Sequence, residues 1–470
     1  MKNIFKLTTL SLLLGGMVFT TSCGDAFLEE VKRDQASSDL LNTPEGLASM
    51  ANALYQEFNY FFVNESSYTY TNYGTDEFMV AGDNSNEMWN NYDSRLKSTI
   101  PAVNSNTQGP ATFWDTLYSW ISRCNTIIFR GEESGVLEGS ALAQEALGTA
   151  YFVRGFNYLF LVQQYGALPL NVEAVTSPQR EYTRNSPEEV AAQIISDLEK
   201  AHGMLTSDAS KATSNYITKY AAAHYLAKAH LWRASEINDS WNGSYKSADL
   251  SAVIKYADEV IAAHPLVNEF NDLFNNFTGY DTSITETNSE IVLSSGASDA
   301  STVLRKGHMG LANFTAWYQG FFLMERDIPG AREYQRTKTT PKYAYYLYDL
   351  ENDSRFWKSF KTTYAVNNNT KTKTYKVDGK EETMSEYFPS NAGEYLAAMY
   401  VINREDYGVE YYASEVNTQK DVSNPSFTRT DYVTGKKIPT IMALNIYDGK
   451  GGKRVGTSLT PDFATLYAPL

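Results

Sequence analysis

The stretch Ala146-Leu147-Gly148-Thr149-Ala150-Tyr151-Phe152-Val153-Arg154-Gly155-Phe156-Asn157-Tyr158-Leu159-Phe160-Leu161-Val162-Gln163-Gln164-Tyr165-Gly166-Ala167-Leu168-Pro169-Leu170 decides the fold class. Leu147, Tyr151, Tyr158, Leu161 and Tyr165 recur at helical spacing on one stripe, and Phe152, Phe156, Leu159 and Phe160 form a second beside it. A helix apolar around most of its circumference has to be covered by other helices. Arg154, Asn157, Gln163 and Gln164 lie within it, and such groups are expensive in a bilayer, so the helix reads as the buried centre of a helical domain. Gly166 is expected to supply a left-handed cap, and Pro169 keeps the helix from resuming. Arg154, a charge on a buried helix, is expected to pair with an acidic side chain and not to face a ligand.

Working outward, Thr43-Pro44-Glu45 combines an N-cap, a proline at the first helical position and an acidic first turn, opening a helix to about Phe62. Pro110 to Arg130 is the next, with Phe113, Leu117, Trp120, Ile121 and Cys124 on one face. Ser186-Pro187-Glu188-Glu189 starts another, lined by Val190, Ile194, Ile195, Leu198 and Leu205. Thr218 to Ala234 carries alanines at 221, 222, 223, 227 and 229, with Leu226, Leu231 and Trp232 beside them. Ala248 to Ala263 presents Val253, Tyr256, Ala257 and Ile261 and stops before Pro265. These last two form an antiparallel pair resembling a tetratricopeptide unit, and residues 146–205 repeat the plan with a longer connection. The expected fold is therefore mostly α, built from degenerate tetratricopeptide-like helical pairs. Residues 63–109, polar, aromatic and rich in asparagine, read as a long excursion of the kind that carries function. After about residue 270 apolar runs shorten while Asn, Thr, Ser, Tyr and Gly rise. The division expected is a helical body over 44–270 and a loop-rich, substrate-binding region with short strands over 271–470.

The N-terminus reads as a targeting segment. Lys2 and Lys6 precede an apolar run from Leu7 to Thr20, too short for a membrane span of ~20 apolar residues. Thr21 and Ser22 then lead to Cys23, which looks like a lipobox cysteine to be acylated as the first mature residue; the alternative is an ordinary secretory signal cleaved nearby. Residues 1–22 are thus the signal peptide and 23–43 a lipid-anchored tether. The other cysteine, Cys124, sits in an apolar helical pattern and reads as a small buried hydrophobe. A formal net charge of -15 repels phosphate backbones and argues against nucleic acid as a partner. The 34 tyrosines and seven tryptophans serve either as core or as stacking platforms, and composition does not separate the two uses.

Several of these pieces together resemble the SusD/RagB family of surface nutrient-binding lipoproteins. The family's signature helix reads Ala-Arg-Phe-Leu-Arg-Ala-Phe-x-Tyr and ends in Tyr-Gly-x-x-Pro-Leu. Ala150, Phe152, Arg154, Phe156 and Tyr158, then Tyr165, Gly166, Pro169 and Leu170 match it, while Tyr151 and Gly155 depart. Cys23 with Asp25, Phe27, Leu28 and Glu29 matches the family's mature start. Leu198-Glu199-Lys200-Ala201, Tyr256-Ala257-Asp258-Glu259-Val260-Ile261 and Asn352-Asp353-Ser354-Arg355-Phe356 follow in order. After Asn445 the chain has Gly451-Gly452-Lys453 where the family has a further helix, so the C-terminal helical pair is expected to be missing. The resemblance implies a protein lipid-anchored to the outer membrane and facing the cell exterior. It would capture oligosaccharides, less often peptides, for a TonB-dependent outer-membrane transporter, with no chemistry and no cofactor of its own.

Sugar capture asks for aromatic faces against pyranose rings, flanked by amides or carboxylates for the hydroxyls. Trp89, Asn90 and Tyr92 supply this in the long excursion, where the family's first binding segment lies; Trp317 and Tyr318 are a second candidate group, and Tyr280 a third. Replacing Trp89 with Ala is expected to abolish glycan binding and leave the melting transition unchanged. The alternative is that each tryptophan anchors its loop to the core. Enzyme motifs find no footing: the five histidines form no zinc-protease pair, no Gly-x-Ser-x-Gly elbow occurs, and no EF-hand calcium loop or other metal motif is present. Two other readings stay open, a scaffold that holds a transporter without touching substrate and, more distantly, a secreted glycosidase whose carboxylate pair sequence does not reveal.

Overall fold

The computed structural model describes residues 42–63, 71–81, 87–92, 110–133, 135, 138–175, 177–268, 288–294 and 336–340, and the backbone of short strands beyond. Helix α1 (Pro44–Val63) begins as its capping residues dictate, with the Thr43 hydroxyl accepting from the Gly46 amide at 3.1 Å. Strand β1 (Phe78–Val80) and the short helix α2 (Glu87–Asn91) interrupt the excursion that follows. Helix α3 (Pro110–Glu133) runs one turn further than its apolar pattern predicts. Helix α4 (Ala141–Tyr165) starts before the quoted stretch, because Ser140 caps it by accepting from Ala143 N at 3.2 Å. Helix α5 (Pro187–Met204) has a complete capping box: Ser186 Oγ accepts from Glu189 N, and the Glu189 carboxylate accepts from Ser186 N at 2.7 Å. Helices α6 (Lys219–Ala234) and α7 (Lys246–Ala263) complete the run.

Helix α4 is the hub. It packs along α5, α3 and α1, while α6 and α7 pair with each other and α5 bridges to α6. Seventeen of its 25 residues are buried, as a helix covered on several sides requires. Its phenylalanines meet rings from two neighbouring helices: Phe156 lies edge-on to Phe61 at 4.9 Å and Phe58 at 5.3 Å, both on α1, and to Tyr225 on α6 at 4.9 Å. Each such side chain removed from water contributes about 1.5–3 kcal/mol, and the edge-on geometry adds somewhat more. Gly155 lets α5 come close. A Cβ there would stand 3.0 Å from Leu198 Cγ and 3.3 Å from the Ile194 carbonyl oxygen.

Arg154 is 3% exposed and paired as its position demands. Its Nε and Nη2 donate to the two carboxylate oxygens of Asp197 at 2.8 and 2.7 Å, and Nη1 donates to Asn125 Oδ1 and the Val172 carbonyl. The buried carboxylate holds the guanidinium charged and raises its pKa further against the desolvation that would lower it. Tyr151, a departure from the family signature, fills its place with a buried ring whose hydroxyl donates to Glu132 and receives Lys200 Nζ at 3.1 Å. Between α6 and α7, Asp249 takes His230 Nδ1 at 2.7 Å and both Arg233 nitrogens, and the His230 ring stacks on Tyr256.

Two expectations need correction. Gly166 has φ +71° but ψ -122°, so the cap is not left-handed helical; it is a conformation open essentially to glycine, with its N–H still bonded to the Val162 carbonyl. Leu231 and Ile261, expected in the helical core, are 53% and 67% exposed, because the α6–α7 pair has no further helix on its outer side among the described residues. Within the excursion, β1 pairs antiparallel with β2 (Thr337–Thr339), Phe78 facing Thr339 and Val80 facing Thr337.

Beyond β2 the chain forms the expected short strands. Strands β3 (Thr363–Ala365), β6 (Ala397–Met399), β7 (Ser426–Thr430) and β8 (Lys437–Met442) make a sheet in the order β3-β6-β8-β7, with β6 and β8 parallel. Strands β4 (Thr374–Val377) and β5 (Lys380–Thr383) form a separate hairpin. No helix among the described residues is long and apolar enough to cross a membrane.

Candidate functional site

The site is assembled on the β1–β2 ribbon. The apolar run Phe78-Met79-Val80 finds its partner strand far along the chain, and Tyr73 rivets the join: its hydroxyl donates to the Arg336 carbonyl at 2.8 Å and accepts from Thr337 Oγ1 at 2.8 Å. Ala81 N and Thr340 N extend the ladder at either end, donating to Arg336 O and Glu77 O. The Arg336 guanidinium is partly buried, and desolvation holds its pKa below the usual arginine value.

Helix α2 lies against β1 and carries two of the predicted residues, Trp89 and Asn90, with Tyr92 immediately after it. Asn90 Oδ1 accepts from Val80 N at 3.0 Å, fastening α2 to the strand, and its Nδ2 donates to Asn91 Oδ1. One N–H and one lone pair of the amide are left for a ligand. Trp89 is partly buried and packs against the helical core. Its replacement would therefore disturb packing as well as any ligand contact, contrary to the expectation of an unchanged melting transition. Tyr92 is the opposite case, 68% exposed. Its hydroxyl donates to the Gly74 carbonyl at 2.8 Å, and a Cβ on Gly74 would lie 2.9 Å from its ring. The backbone of Tyr92 takes φ +50°, unusual for a bulky residue and kept here by that contact. The outcome is a fixed aromatic face pointing to solvent, ordered before any ligand arrives.

Tyr280, Trp317 and Tyr318 lie outside the described residues, as does Cys23. Gly74 and Tyr73 were not singled out from the sequence, although Gly74-Thr75-Asp76 before an apolar run is an ordinary turn-then-strand signal. Among the described residues no group of three or more His, Cys, Asp or Glu is placed to hold a metal ion.

Helical pairs carrying a loop-borne aromatic platform define the class: a tetratricopeptide-like body that presents a candidate surface site. Residues 26–231 match the SusD-like family model, described as starch-binding and associating with the outer membrane. Over that segment the chain is similar to the SusD-like family. Among solved structures it is similar to a laminarin-binding SusD-like protein (18% identity, TM-score 0.50, 68% of this chain and 66% of that one). It is also similar to a SusD superfamily protein of Bacteroides fragilis (17%, 0.52, 73% and 66%) and to NanU of B. fragilis (20%, 0.51, 74% and 68%). The chain spans just under two thirds of the first of these and a similar share of the others, and at such identity the likeness is one of fold. No curated protein sequence matches it.

Proposed function

We propose that this protein captures oligosaccharides at the cell surface and passes them to a TonB-dependent outer-membrane transporter, without cleaving them. The observation that carries the reading is the fixed, exposed ring of Tyr92 in a segment that matches a family model described as starch-binding. In this reading Trp89, Asn90 and Tyr92 form one wall of the glycan site, and Trp317, Tyr318 and Tyr280 come from the region after residue 270 to complete it. Residues 1–22 are removed on export, Cys23 is acylated, and residues 23–43 tether the body outside the outer membrane.

The test incubates the protein with oligosaccharide pools, starting from the starch and laminarin fragments that the family description and one relative suggest. Calorimetric heat with the glycans recovered intact supports capture. Shortened products would make it a glycosidase, and neither heat nor products would leave a scaffold. Tyr92→Ala is expected to weaken binding about tenfold, the worth of one aromatic contact, with the melting temperature kept. Unchanged affinity removes Tyr92 from the site.

A further inference from the structure

A second cleft lies away from the β1–β2 ribbon, between α3 and the extended segment that follows α4. Its volume is about 410 Å³, within the range of small-molecule pockets. Trp114 and Tyr118 give it an aromatic side, their ring centroids 4.8 Å apart, and Tyr182 stands at the rim, 44% exposed. Ser119, Ser122 and Asn171 supply the polar lining.

Two properties of this cleft select a ligand class. Its lining contains no charged side chain, in a chain of formal net charge -15. Part of its polar lining is also unspent: the side chains of Ser119, Ser122 and Asn171 and the hydroxyl of Tyr182 form no hydrogen bond within the described residues. The groups behind them are fully engaged. Tyr118 donates to the Pro169 carbonyl at 2.8 Å, Asn125 Nδ2 donates to the carbonyls of Asn171 and Glu173, and Tyr158 exchanges two bonds with the Asn171 backbone. Asn125 is itself held by the buried Arg154. The wall is therefore braced, while these lining side chains keep their donors and acceptors free. Neutral hydroxyl and amide groups around aromatic faces suit a neutral polyol ring: the rings cover its C–H faces and the side chains meet its hydroxyls. The one charge beside the cleft, the Arg184 guanidinium 5.9 Å from the Trp114 ring centroid, is engaged by that ring and by the Ala167 carbonyl.

We infer that this cleft is a second carbohydrate-binding site, selective for neutral pyranose units. The inference rests on the reading of the chain as a glycan binder, and the cleft shares no lining residue with the Trp89–Tyr92 platform. The test is isothermal titration of the full chain with maltohexaose, laminarihexaose and a galacturonic acid hexamer. It compares wild type with Tyr182→Ala, Asn171→Ala and Tyr92→Ala. The expected result is binding of a neutral hexamer in preference to the uronate, weakened about tenfold by Tyr182→Ala and reduced by Asn171→Ala, with melting temperatures unchanged. Neutral-glycan binding that both cleft variants leave intact, while Tyr92→Ala weakens it, overturns the cleft and keeps the capture function. Preference for the uronate overturns the neutral selectivity. Binding of none of the three by wild type overturns the cleft and counts against the function it rests on.

Discussion

Glu57 on α1 offers the sharpest test of the helical core. It is 3% exposed, and neither carboxyl oxygen has a hydrogen-bond partner among the described residues. Burial pushes its pKa up to about 9, against smaller downward pulls from Asn157 and Arg123. At neutral pH the folded protein therefore keeps this carboxyl protonated, while the unfolded chain ionises it near its ordinary value of about 4.5. Because the folded state binds the extra proton, stability falls as pH rises from about 4.5 to about 9 and is fully present only below that window. At 1.36 kcal/mol per unit, the penalty at pH 7 is about 3 kcal/mol. Glu57→Gln keeps the size and removes the ionisation. The variant should be more stable than wild type by about 3 kcal/mol at pH 7 and by under about 1 kcal/mol at pH 5. Urea unfolding at the two pH values measures the difference directly. A gap that fails to widen between them would refute the protonated buried carboxyl.

Three further outcomes follow from the same core. Arg154→Met alone should cost about 3–5 kcal/mol by stranding Asp197, and adding Asp197→Leu should recover most of it; a double variant whose loss equals the sum of the two single losses in a double-mutant cycle would deny the coupling. Gly155→Ala, which installs the family's usual residue, should destabilise by about 1 kcal/mol net, crowding against Leu198 outweighing alanine's better helix propensity. Leu198→Val in the same chain should relieve it, as read by thermal melting. Cys124 is fully buried, and burial lifts its thiol pKa well above the usual range, so iodoacetamide should label it only in denaturant. Rapid labelling of the native protein would contradict that packing.

Much of the helical body was legible because its signals are local. Thr43-Pro44 and Ser186-Pro187-Glu188-Glu189 announce helix starts through atoms within three residues of one another, and the structure places those bonds. Arg154 was legible as a buried charge needing a partner, but not the choice of Asp197, 43 residues on, nor Asn125 on the third side. What the pattern could not show is which faces end up covered. Leu231 and Ile261 have core-like spacing, yet burial depends on a neighbour that lies outside their own helices. The site was legible only as residue types. That Asn90 fastens a strand, and that Tyr92 is propped on Gly74, follow from the β1–β2 pairing, which no local period encodes.

The Tyr73–Arg336 bond has a consequence for the order of events during synthesis. Its partners are 263 residues apart, so closing that loop costs about 5 kcal/mol of chain entropy if the intervening chain is still free. Helices α1 to α7 end at residue 263, and at about 5–20 residues per second several seconds pass before Thr337 is made. The helical body therefore has time to settle first. The Tyr92 platform is completed from a half-built ribbon that waits for its second strand, so a nascent chain stopped before residue 337 would carry a folded body with an unfinished mouth.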